Sequence, residues 1–192
     1  EEQAYQKLKQ AVKEAYGSAV ALEIAASELH AQDDCDSKKL EHDFWTCNAE
    51  SIHLANKLLN RISHSKKMPD ENSVMLHFIK KSCEIFSIRL LHADFETELA
   101  LMRFLLKAAK MNLLASENID FINLKLNQLL EETVITKEDD EKTAIHKTLS
   151  REAACALALE FYHKNACADV VLKWKDVSEN VDEFLEIRQI AT

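Results

Sequence analysis

The chain has 192 residues, one glycine (Gly17) and one proline (Pro69), where average usage would give on the order of 23 of the two together. A sheet protein of this length needs many tight turns, so this scarcity excludes one and leaves an all-α fold. The net charge of −9 argues against binding nucleic acid by general phosphate attraction, and no uninterrupted apolar run is long enough for a membrane span.

Residues 2–31 read as one amphipathic helix with Gly17 in its middle. The acidic stretch 33–37 breaks it, and a second helix follows over 38–65 with Leu40, Phe44, Cys47, Ile52, Ala55, Leu58, Leu59 and Ile62 as its apolar stripe. The clearest loop is KKMPDENS, 66–73. Residues 74–115 are helical by propensity but too long for one globular helix, so a break is expected near 92–96. Within them LALMRFLLKAAKMNLL, 99–114, is apolar almost all round, the pattern of a central helix. Its charges Arg103, Lys107 and Lys110 fall on one narrow strip.

After a break at 116–120, with Ser116 as a candidate cap, helices are expected over about 118–132, 138–164 and 167–190. In the second of these, Ile145, Leu149, Ala153, Ala156 and Leu157 are expected inward. In the last, Val170, Trp174, Val177, Val181 and Phe184 form a short heptad seam. The architecture implied is an irregular bundle, or a short solenoid-like stack, of about six to seven long amphipathic helices. It reads as a single domain over 1–192, with a possible sub-division near 116–136, and as a fragment of a longer protein.

Residues 151–177, with small Ala154, Ala156 and Ala158 and bulky Phe161, Tyr162 and Trp174, resemble a tetratricopeptide or clathrin-type helix pair. The stretch lacks the tetratricopeptide Trp-Leu-Gly-Tyr spacing and closing Pro, so no binding residue carries over.

Three functional readings are open. The first is a non-enzymatic protein-interaction or scaffold domain of a larger cytosolic protein, with Trp45 and Trp174 as candidate partner contacts and no cofactor. It rests on long amphipathic helices and on the lack of a Gly-rich phosphate loop or a nucleophile elbow, neither of which can be built with one glycine. The odd count of five cysteines, without a CxxC, fits a reducing compartment. The second reading is a phosphoinositide- or lipid-headgroup-binding domain that touches a membrane peripherally through Arg103, Lys107, Lys110, Lys66 and Lys67.

The third reading is a ferritin-like di-metal carboxylate oxidase. Such sites use Glu-x-x-His on two helices plus a Glu from each of two others. Here Glu50 with His53, and Glu160 with His163, have that spacing, and Glu23 or Glu28 and Glu96 or Glu98 could complete the set. Glu160 and His163 fall on the expected inner stripe of their helix, whereas Glu50 and His53 fall opposite theirs. His42, His53 and His64 recur every eleven residues, but such neighbours lie about 16 Å apart along a helix and cannot share an ion.

Overall fold

The computed structural model describes residues 74–180 and, before them, Ile52, Ala55, Asn56, Leu59, Asn60 and 62–64. Every element among the described residues is helical: α1 (Val74–Arg89), a 3-10 turn (Leu90–His92), α2 (Phe95–Lys110), α3 (Ser116–Glu132), α4 (Glu141–His163) and α5 (Asp169–Glu179). None is long and apolar enough to cross a membrane. Contacts divide the chain into two units, Glu1–Ile85 and Phe86–Thr192.

In the first unit the described helical positions Ile52, Ala55, Leu59 and Ile62 are all buried. Their spacing of three, four and three is one face of a helix. Leu76, Ile79 and Cys83 of α1 are buried with the same rhythm. Burial pushes the Cys83 thiol up to about 12, so it is packing material and not a nucleophile.

The second unit begins with the last turn of α1, after which the long helical stretch breaks. After the 3-10 turn, Ala93 and Asp94 adopt extended backbone, and the Asp94 carboxylate accepts the Thr97 N–H at 2.9 Å to start α2. Asp140 starts α4 in the same way, accepting from the Thr143 N–H at 2.7 Å. Each of these hydrogen bonds holds its carboxyl below the usual range. Ser116 does not cap α3: Ala115 holds the cap position, and the Ser116 hydroxyl turns to Glu117. Both α2 and α4 are followed by an asparagine in the left-handed region, Asn112 (φ 58°) and Asn165 (φ 59°), a role asparagine fills where glycine is scarce.

The core lies around α4, which packs on α2, α3 and α5, while α3 also packs on α5 and on the 3-10 turn. Leu101, Phe104, Leu105, Ala108, Ile122, Leu126, Ala154, Leu157, Ala158, Phe161 and Val171 are closed off from water. Phe86 and Phe104 meet edge to face, centroids 5.2 Å apart. The stretch 99–114 is not the central helix its composition suggested, because α2 keeps one side open.

Two polar clusters cross this core. Glu98 of α2 pairs with Lys125 of α3 at 2.8 Å, side chains only 8% and 7% exposed, and Ser150 of α4 donates to the other Glu98 oxygen at 3.1 Å. Arg151 donates to the Leu130 carbonyl (3.3 Å) and the Thr133 hydroxyl (3.1 Å), and its guanidinium lies 5.3 Å from the centre of the Trp174 ring. The Trp174 indole N–H donates to the Leu126 carbonyl at 3.0 Å. Unpaired, these groups would penalise burial heavily, so each ties a specific helix to a specific neighbour.

Candidate functional site

Each long helix of the second unit has a covered and an uncovered side, and α4 shows how this arises. It carries apolar or small residues on nearly every side, so no single side is marked for the core by hydrophobicity. Ala144, Thr148, Arg151, Ala154, Cys155, Ala158 and Phe161 are buried. The stripe expected inward is rotated away: Leu157 is buried, but Leu149 and Ala153 are half-buried and Ile145 and Ala156 are exposed. Glu152 and His163 share that outer stripe. The polar residues Ser150 and Arg151 decide the rotation, because their partners lie on α2, α3 and α5.

Side-chain pairings fix how α2 and α4 run. Phe95 near the start of α2 stacks on His146 near the start of α4, ring centroids 3.9 Å apart. At the other end, Lys164 donates to the Ala109 carbonyl and to Asn112 Oδ1. Start meets start and end meets end, so the two helices are parallel. Helix geometry then places their open sides. On each helix the exposed stripe lies about a third of a turn from the line of contact, clockwise on α2 and anticlockwise on α4 when viewed from the N-termini. For parallel neighbours these directions coincide, so α2 and α4 present one common outer face.

That face has three strips. On α2 it carries Arg103, Lys107 and Lys110, all exposed and spread over about 10 Å of helix. Between the helices run the half-buried Leu99, Leu106, Leu149 and Ala153. On α4 it carries Ile145, Glu152, Ala156 and His163. Several cations elsewhere have carboxylate partners: Lys81 with Glu84, Lys147 with Asp139, Lys164 with Glu160 and Lys175 with Glu179. Among the described residues, Arg103 and Lys110 have no carboxylate at ion-pair distance. Lys107 and Lys110, in the last turn of α2, also favour its negative C-terminal end.

The other candidate residues fare differently. Trp174 is not a surface contact: it is fully buried, held by the Leu126 carbonyl and by Arg151. Of the other seam positions, Val170 is buried and Val177 half-buried where α5 packs on α3 and α4, and Val181 and Phe184 lie outside the described residues. Trp45, Glu50, His53, Lys66 and Lys67 lie outside the described residues. Glu160 is half-buried and paired with Lys164 at 3.6 Å, and His163 is exposed beside the Tyr162 ring. Both therefore still fall with Ile145, Leu149 and Ala156, but the stripe that periodicity assigned inward lies on the outer side of α4. Among the described residues, no three His, Cys, Asp or Glu side chains are grouped so as to hold a metal ion. Cys167 is exposed, 4.0 Å from the Tyr162 carbonyl.

No protein-family model matches the chain, and neither a curated protein nor a solved structure is significantly similar to it.

Proposed function

We propose that the chain is a helical protein-interaction domain in which the common outer face of α2 and α4 receives the partner. One observation carries this reading: a half-buried apolar valley, Leu99, Leu106, Leu149 and Ala153, runs beside an exposed row of cations on parallel helices. A valley of this kind suits a helix laid along it. The parallel α2 and α4, with α3 and α5 behind them, also fit the short solenoid-like stack, an architecture that builds extended binding faces. The odd count of five cysteines, without a CxxC, is in keeping with a cytosolic, reducing setting.

The test places a photo-crosslinking amino acid at Ala156, on the face, and in a separate protein at Leu124, which is 57% exposed on α3. A protein adduct at position 156 that is absent at 124 supports the reading. Equal adducts at both, or none at 156, overturn it. A second reading uses the same exposed strip, Arg103, Lys107 and Lys110, to hold a phosphoinositide headgroup. Flotation with anionic vesicles, lost on reversing the three charges, is the outcome that reading requires.

A further inference from the structure

The valley between α2 and α4 is bordered by unlike charges, and this restricts what fits it. Its α2 side carries Arg103, Lys107 and Lys110, spaced four and three apart. Its α4 side carries Glu152, and Glu160 is already held by Lys164. From this arrangement we infer that, if the interaction reading holds, the partner segment is an amphipathic helix with one acidic flank. Its apolar edge would cover Leu99, Leu106, Leu149 and Ala153. Carboxylates four and three residues apart on one flank would meet Arg103, Lys107 and Lys110, because helices lying side by side repeat their contacts at that spacing.

Two observations favour a helix of this kind over an anionic membrane. The cations form a line about 10 Å long beside apolar side chains, not a broad basic plane. The whole chain carries −9, so a negatively charged surface repels most of the protein while a narrow acidic helix needs only the strip. Glu96 lies on the same side of α2 as the cations, about two turns before Arg103, and marks where the acidic flank of the partner must end.

The experiment titrates the full chain with three stapled, fluorescent amphipathic peptides of one length. One has a Leu edge with Glu on one flank at the four-and-three spacing. The second has Lys in place of those Glu residues. The third has the first composition with its order scrambled. The expected result is tightest binding of the acidic-flank peptide, weakened about tenfold or more in R103E/K107E/K110E, with that variant now preferring the Lys peptide. Lys110→Glu alone, in the exposed last turn, serves if the triple variant does not melt like the parent. Equal binding of all three peptides overturns the inference, as does binding of none. Binding to anionic vesicles without binding to the acidic-flank peptide overturns it too, in favour of a lipid headgroup. A protein adduct at Ala156 alongside failed peptide binding would leave the interaction reading standing and remove only the acidic helix.

Discussion

The two sides of α4 are built from similar residues and do opposite work. Inward, Ala154, Cys155, Ala158 and Phe161 are buried beside two polar residues, Ser150 and Arg151, that reach named partners. Outward, Ile145, Leu149, Ala153 and Ala156 are as apolar, yet they stay wholly or partly open. On a helix apolar all round, polar side chains with partners set the rotation. Hydrophobicity would accept either side; a buried guanidinium accepts only the side where its acceptors are.

Changes to the covered side should have the largest effects. Trp174→Ala removes a fully buried ring together with its hydrogen bond to Leu126 and its contact with Arg151, and should cost about 3–5 kcal/mol in denaturant unfolding. Lys125→Met leaves the Glu98 carboxylate buried without its counter-charge and should also cost about 3–5 kcal/mol. Replacing Glu98 and Lys125 together by apolar residues should cost clearly less than Lys125→Met alone, which separates an uncompensated charge from lost packing.

A smaller effect concerns acid. The Lys147 ammonium, 2.9 Å away, and the Thr136 N–H hold the Asp139 carboxyl below its usual range. Its folded value lies under its unfolded value near 3.9, so its contribution is complete above that pH and is lost as pH falls through the folded value. Asp139→Asn should therefore lower the melting temperature at neutral pH and flatten its decline below about pH 4. On the uncovered side, Ile145→Ser or Arg103→Glu should change stability by no more than about 0.5 kcal/mol. A cost of several kcal/mol at either position would mean the outer stripe is core and would erase the contrast.

Much of the fold was legible because it depends on local signals. The near absence of Gly and Pro pointed to helices, and the bounds of α3 and α4 fall within a few residues of those expected, whereas α5 stops at Glu179, well short of 190. The break expected near 92–96 is the 3-10 turn followed by the Asp94 cap. The rotation of α4 was not legible, since it depends on Arg151 and Ser150 meeting groups 18 to 52 residues away in sequence. Trp174 misled for a related reason: an aromatic on a short heptad seam reads alike whether it meets a partner or its own α3 and α4. The strip Arg103, Lys107 and Lys110 was visible as a pattern, but only the packing of α2 against α4 shows that it borders an apolar valley.

The inner side of the α2 and α4 pair holds the fold, and the proposal is that the outer side receives the partner. It is tested most directly by carrying the photo-crosslinker at Ala156 in R103E/K107E/K110E and in the parent, and comparing the adduct between proteins that melt alike. Loss of the protein adduct with an unchanged melting temperature is the predicted result; an adduct of equal yield in both proteins would contradict it.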